Sequence, residues 1–433
     1  MNSHFSYQKA IRYLEGLANL PTQQSYLAGG SGDRSVHLRR MRYFLDLLGN
    51  PDRGMKFVHI TGTSGKGSVT NLVHEMAVAA GVHVGSFTSP FVTTSIEKIR
   101  VGTRFIEPQR FADLLQQIKP IIDRAYFSGP YGRPTYFELF LAIALLYFKD
   151  QKCELVLLEV GLGGRYDSTN VIEKPLITAI TNIDYDHMEI LGNTLRKIAQ
   201  DKMGIIKHGS VFFTTEKRPA LLKLFRAACN EVGAICSPLC VKDGYQAENA
   251  ALASAIAKRL GIGSQAIQQG IDAARLPCRF EVMQTGPCVV LDGAHNRAKI
   301  RTTVENIKQL RYRKLHLVLG FAKNKDPKAI LEQVIPLADA VYITRFQMKD
   351  RLCAPPDELS HMSKKYLKQG VSSKVFLDPN DALKQALAKA QPKDLIVATG
   401  SFFLAGELRE WWIQEETILK RRRAFGLKPA KYE

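Results

Sequence analysis

The stretch that most constrains this chain is Phe57-Val58-His59-Ile60-Thr61-Gly62-Thr63-Ser64-Gly65-Lys66-Gly67-Ser68-Val69-Thr70. A short apolar run reads as a strand, a glycine-rich turn follows, and residues 69–80 read as a helix. Glycines at 62, 65 and 67 let backbone N–H groups crowd round an anion where side chains would block approach. The helix N-terminus adds partial positive charge and Lys66 a full one. Ser68 sets a hydroxyl where a phosphate-bound Mg²⁺ sits. The ordinary P-loop pattern is not met: Ile60 replaces its first glycine, and Gly67 separates the lysine from the serine. A glycine-rich turn that binds nothing is the bland alternative.

At 433 residues the chain is long enough for two domains with full cores, and a hydrophobic content of 45% is that of a globular protein. No apolar run approaches the ~18 residues of a membrane span, and the first twenty residues lack the pattern of a signal peptide. Seven scattered cysteines without a CxxC pair read as the reduced thiols of a cytoplasmic protein, and a monomer is expected. The net charge of +19 fits either nucleic acid or small polyanions as partners. Basic residues are spread along the chain except for Lys420-Arg421-Arg422-Arg423, which reads as a solvated tail. No zinc-finger or RNA-recognition spacing is present, which disfavours nucleic acid.

Helices are expected at 5–20, 35–48, 108–125, 136–148, 194–204, 217–232, 247–260 and 264–273, and strands at 82–87, 154–160 and 176–181. After Leu276-Pro277-Cys278-Arg279, which reads as a junction, strands recur near 280–285, 287–292, 315–320, 339–344, 373–377 and 394–399. The alternation predicts an α/β protein: a P-loop-type domain over 1–275 with a central, mostly parallel sheet, and a smaller Rossmann-like domain over 277–433.

Ligands of open α/β sheets gather beyond the carboxyl ends of the strands. The cradle, Thr88-Ser89-Pro90, Glu159 and His187 all fall at such ends. Glu159 closes an apolar strand, where a lone carboxylate is costly to bury without a cation or hydrogen bonds. A metal ligand is one reading of it, and a partner for Arg165 another. Lys202 taken alone reads as a solvated helix lysine.

Residues 59–68 (HITGTSGKGS), 88–90 (TSP), 135–138 (TYFE), 158–170 (LEVGLGGRYDSTN), 186–187 (DH), 201–205 (DKMGI), 248–250 (ENA), 292–296 (DGAHN), 325–326 (KD) and 400–402 (GSF) follow one another along nearly the whole chain. In that order they resemble folylpolyglutamate synthase/dihydrofolate synthase, of the Mur ligase superfamily of ATP-dependent amide-forming enzymes. The resemblance implies that ATP phosphorylates a substrate carboxylate and that the amine of L-glutamate displaces the phosphate. It implies ATP contacts from Gly62, Thr63, Ser64, Gly65, Lys66, Gly67, Ser68, Asn249, Arg279, Asp292 and His295, with the second domain closing over the nucleotide. It implies two Mg²⁺ ions on Ser68, Ser89, Glu159, His187 and Lys202, the last as a carbamate, with Lys66, Glu159, His187 and Lys202 serving catalysis. Thr135, Phe137, Asp167 and Ser168 match a pterin-side pocket.

Four positions depart from the family pattern: Phe91 for a His, Lys98 for an Arg, Ser168 for an Ala, and Cys278 for a Gly before Arg279. Two rivals stand beside this reading. A ligase of cell-wall precursors would carry a separate UDP-binding domain, and only about 55 residues precede the cradle. A nucleic-acid-associated ATPase would use the charge, with a steep salt dependence of binding.

Overall fold

A computed structural model describes residues 3–17, 33–241, 244–323, 325–348 and 352–425. The chain divides into two compact units, Met1–Phe91 with Ser95–Arg275, and Val92–Thr94 with Leu276–Glu433. The second unit thus takes three residues from the loop that follows Phe87, which no composition shift marks.

The first unit carries an eight-stranded sheet. Its strands are β1 (Lys56–Thr61), β2 (Val84–Phe87), β3 (Ile99–Val101), β4 (Arg104–Phe105), β5 (Leu155–Glu159), β6 (Ile177–Ile180), β7 (Val211–Thr214) and β8 (Ile235–Pro238), in the order β4-β3-β2-β5-β1-β6-β7-β8. Pairing is parallel from β2 to β8, and β3 and β4 form an antiparallel margin. Both faces are covered, as an apolar, non-alternating β5 requires. Val84 packs into a core with Val69, Val73, Leu252 and Ile267 from the helices Lys66–Ala79, Tyr245–Arg259 and Ser264–Ala273. Its neighbour Gly85 points the other way, where a side chain would collide with Phe148 of the helix Tyr136–Asp150.

The second unit has six strands: β9 (Glu281–Thr285), β10 (Cys288–Leu291), β11 (Leu315–Leu319), β12 (Ala340–Ile343), β13 (Ser373–Val375) and β14 (Leu395–Thr399). Their order is β13-β12-β11-β14-β10-β9, all parallel except β9. Val290, Leu317 and Val397 face one core while Val289, Val318 and Ile396 face another, so this sheet is also sandwiched. All six strands lie where the sequence places them; β7 and β8 lie where it places none.

The basic cluster near the C-terminus is less solvated than its composition suggests. Lys420 and Arg421 end the helix Glu415–Arg421, Arg422 and Arg423 are half-buried, and Arg409 donates to the Ala424 carbonyl at 2.6 Å. The last eight residues lie outside the described part.

Candidate active site

The turn after β1 is held open by glycine and pinned from neighbouring strands. Gly62 has φ +151°, and a Cβ there would run into the Thr181 hydroxyl. That hydroxyl donates to the Ser64 carbonyl. Thr63 N donates to the Asn182 carbonyl at 3.0 Å, and Ser64 N to the Asn182 side chain at 2.9 Å. Gly65, at φ +86°, begins the helix, and a Cβ there would strike Asn249 Oδ1 and the Tyr245 hydroxyl. The helix starts at Lys66 rather than at 69, so Lys66, Gly67 and Ser68 form its first turn. Their N–H groups are among the four that no intrahelical carbonyl can satisfy. Gly67 and Ser68 are poor helix formers, and the packing of Val69 and Val73 overrides that preference.

Two lysines meet at this turn. Lys66 Nζ donates to the Gly62 carbonyl at 3.0 Å, and Lys202 Nζ to the same oxygen at 3.1 Å. Lys202 is 4% exposed, which overturns its reading as a solvated helix lysine. Burial, with Lys66 close by, lowers its pKa to about 7, against the pull of Asp201, Asp186 and Asp167. The helix Leu195–Lys202 is brought in by Gly164, where a side chain would collide with the Lys202 backbone.

Glu159 ends β5 beside the cradle. Its Oε2 accepts from Ser89 N at 3.1 Å, and a Cβ on Gly67 would stand 3.4 Å from its Oε1. Glu159 thus bonds the backbone of Ser89 and lies alongside Gly67, the neighbour of Ser68 in the first turn of the helix. His187 sits at φ +50° at the start of the short helix Met188–Leu191, one-third exposed, with its ring 3.9 Å from Asp186 and 3.7 Å from Glu189. Among the described residues no group of three or more His, Cys, Asp or Glu is placed to hold a metal by itself. Mg²⁺ does not need one, since it keeps waters and relies on one or two carboxylates plus substrate phosphates. A carboxylate between two serine-bearing loops fits that ion.

The residues matched to a pterin pocket also converge. Thr135 caps the helix Tyr136–Asp150 in a reciprocal box, its hydroxyl accepting from Glu138 N while Glu138 Oε2 accepts from Thr135 N at 2.7 Å. Phe137 is half-buried, edge-on to Phe87, and would meet a Cβ on Gly161, as would Asp167. Asp167 accepts from Leu162 N and Thr169 N at 2.9 Å each, and burial pushes its carboxyl up. Ser168 donates to Glu138 at 3.3 Å.

Glu138 ends the TYFE stretch, and the resemblance gives it no role. It is fully buried and takes a two-pronged ion pair from Arg40 at 2.8 and 2.9 Å, while Arg40 also donates to His37 Nδ1 at 2.8 Å. Burial, then Arg40, holds the His37 ring below its usual pKa. His37 and Arg40 one turn apart on a helix were the only available signal. Asn182 and Thr181, which pin the cradle, were missed in the same way.

In the second unit, Asp292 organises its own loop. Its Oδ1 accepts from Ala294 N and the Thr303 hydroxyl at 2.9 Å each, and its Oδ2 from Phe280 N at 2.8 Å. Arg279 is exposed, with its guanidinium 4.8 Å from the Phe402 ring centre. His295 Nδ1 lies 2.8 Å from the Gly293 carbonyl, and Lys299 Nζ lies 3.0 Å from Nε2. Cys278, where the family has glycine, is buried at φ +54°.

Comparison with known proteins gives the family. Residues 60–232 match the Mur ligase middle domain, and residues 278–402 the glutamate ligase domain of Mur ligases. The dihydrofolate synthase/folylpolyglutamate synthase of Bacillus subtilis is 32% identical over 86% of this chain and 94% of its own length. The chain belongs to the dihydrofolate synthase/folylpolyglutamate synthase family. Solved structures of that family agree in fold. The Mycobacterium tuberculosis folylpolyglutamate synthase complexed with ADP and AMPPCP is 25% identical, with a TM-score of 0.83 over 96% of this chain and 100% of that one. The bifunctional synthase of Yersinia pestis complexed with AMPPNP and a Mn ion is 26% identical, with a TM-score of 0.78 over 93% of this chain and 97% of that one.

Proposed function

We propose that this chain joins L-glutamate to a folate-type carboxylate, of dihydropteroate, tetrahydrofolate or both, at the expense of ATP. The observation that carries the proposal is the convergence of Lys66 and Lys202 on the Gly62 carbonyl, beside Glu159, in a chain of this family. ATP, the carboxylate and glutamate are all anions, so charge neutralisation is the main task of the site. A substrate carboxylate oxygen attacks the γ-phosphorus of ATP, and the bond to ADP breaks. The amine of glutamate then attacks the carbonyl carbon of the acyl phosphate. The carbon–oxygen bond to phosphate breaks, and the nitrogen loses a proton.

Lys66, with the first-turn N–H groups of Lys66, Gly67 and Ser68, holds the transferred phosphoryl group. Ser68, Ser89, Glu159 and His187 hold Mg²⁺, which supplies neutralising charge. Carbamate formation needs an amine that has shed its proton, and a buried Lys202 with a pKa near 7 offers one at neutral pH. As a carbamate it is a ligand for a second Mg²⁺. Thr135, Phe137, Asp167 and Ser168 receive the pterin side of the acceptor, and Asn249, Arg279, Asp292 and His295 serve the nucleotide. The same reading takes the protein to act in the cytoplasm as a monomer.

ADP release measured with glutamate against a panel of pteroates and reduced folates tests the assignment. Steady ADP release is expected only when acceptor and glutamate are both present. Steady ATP hydrolysis indifferent to both contradicts it. In that assay Glu159→Gln is expected to raise the Mg²⁺ requirement about tenfold with little effect on the glutamate requirement; an unchanged Mg²⁺ titration removes Glu159 from the site.

A further inference from the structure

Two of the four departures from the family pattern lie against each other. Lys98, 5% exposed, points its ammonium at three aromatic rings, with Nζ 5.2 Å from the centre of Phe91, 4.4 Å from Tyr136 and 4.0 Å from Phe140. All three distances lie inside the ~6 Å range over which a ring face attracts a cation, and the attraction grows when water is excluded. The Lys98 carbonyl accepts from Thr88 N at 3.0 Å. Lys98 therefore grips the segment 88–91 at both ends, its carbonyl on Thr88 and its ammonium on the ring of Phe91. Between them lies Ser89, whose N–H donates to Glu159. Tyr136 and Phe140 tie the same ammonium to the helix capped by Thr135. With His in place of Phe91 the grip would face an imidazole, and with Arg in place of Lys98 it would face a planar guanidinium. The two replacements are complementary: a compact ammonium goes with a ring that offers only its face.

We propose that Lys98 and Phe91 act as one positioning pair, whose ammonium–ring contact fixes the segment carrying Ser89 so that Ser89 and Glu159 present a formed cation site. Lys98 on this account does not bind the substrate carboxylate. The proposal rests on the assignment of Ser89 and Glu159 to the metal in the proposed function.

The test reads metal binding without turnover: Mn²⁺ affinity, by electron paramagnetic resonance, in the presence of a non-hydrolysable ATP analogue, alongside steady-state kinetics. Lys98→Met and Phe91→Leu are each expected to weaken Mn²⁺ binding about tenfold, with a matching fall in kcat and a KM for the acceptor within about twofold of wild type. The Lys98→Met/Phe91→Leu double variant should lose no more than the worse single change, as two halves of one contact must. Phe91→His alone should weaken Mn²⁺ binding, and adding Lys98→Arg should recover most of it. A Lys98→Met protein that keeps its Mn²⁺ affinity and shows a raised acceptor KM overturns the proposal, because the ammonium then touches substrate. Strictly additive losses overturn it as well. Should Lys98→Met not fold, Phe91→Leu and the paired swap carry the same decision. A wild-type protein that binds Mn²⁺ with nucleotide but ligates no glutamate sinks the proposed activity and leaves these Mn²⁺ comparisons intact.

Discussion

The turn Gly62–Gly65 and the turn Cys278–Phe280 meet the same backbone demand by different means. Both place residues in the left-handed half of backbone space: Gly62 at +151° and Gly65 at +86° in one, Cys278 at +54° and Phe280 at +51° in the other. Glycine enters that region without penalty, whereas other residues are held there at a cost of about 1–2 kcal/mol each. The second turn is accordingly clamped by side chains. Cys278 N donates to Glu281 at 2.9 Å, Phe280 N to Asp292 at 2.8 Å, and Gly293 N to the Cys278 carbonyl at 2.8 Å. Glu281 is itself anchored by the fully buried Arg409 at 2.8 Å. In the first turn glycine removes the strain, and neighbouring groups are left to fill the space a side chain would take. In the second the strain is kept, and the carboxylates of Glu281 and Asp292 hold it.

The comparison breaks most sharply at Gly62. Gly62→Ala sets a methyl against the Thr181 hydroxyl in a conformation alanine resists. We expect an activity loss of about a hundredfold or more and a destabilisation of about 2–3 kcal/mol, read from ADP release and denaturant unfolding. Next comes Asp292→Asn, which keeps the shape of the clamp and cannot accept all three of its bonds as a carboxylate does. Loss of charge-assisted bonding there should lower stability by about 1–3 kcal/mol.

Lys202 adds a pH dependence to the first turn. Its folded pKa of about 7 lies below the ordinary 10.5, so between those values the unfolded chain binds a proton that the folded chain has released. Stability then rises with pH across that window, and the full penalty of burying the ammonium is felt below pH 7. Lys202→Met should therefore stabilise the ligand-free protein in CO₂-depleted buffer, most at pH 7 and below, with the gain fading towards pH 10.5. A gain that does not depend on pH would show that lost packing strain, not the buried charge, is what changed.

The smallest expected effect is the most specific to the second turn. Cys278→Ala loses the buried sulfur and keeps the strain, while Cys278→Gly gives up one further carbon, worth about 0.8 kcal/mol of burial, and relieves about 1–2 kcal/mol. Glycine should be the better tolerated of the two by up to about 1 kcal/mol in chemical unfolding. The reverse order would mean that the turn is not strained at Cys278.

The same contrast explains what could be read from the sequence. β1, the glycine turn, Lys66 and Glu159 are local patterns: a run of apolar residues, a spacing, a carboxylate at the end of a strand. The alternation after residue 276 located all six strands of the second unit. β8 is a half-exposed edge strand ending in Pro238 and carries no full strand signature, whereas β7, Val211-Phe212-Phe213-Thr214, is an apolar run as long as β2 or β6 and was legible in principle. Contacts between distant residues left almost no trace. Arg40 and Glu138 are 98 positions apart, and Lys202 shares its helix face with the buried Ile198 and Ala199 but carries a charge that by itself assigns it to solvent. Cys278 stood out only as a departure from glycine, and its positive φ is the physical reason a glycine fits there.

The central claim is that a substrate carboxylate oxygen becomes part of the released phosphate. Acceptor labelled with ¹⁸O in its reacting carboxylate should, on turnover with ATP and glutamate, yield ADP and inorganic phosphate carrying one ¹⁸O atom, detected by mass spectrometry or by the ³¹P isotope shift. Unlabelled phosphate accompanying amide formation, or AMP and pyrophosphate in place of ADP and phosphate, would contradict it.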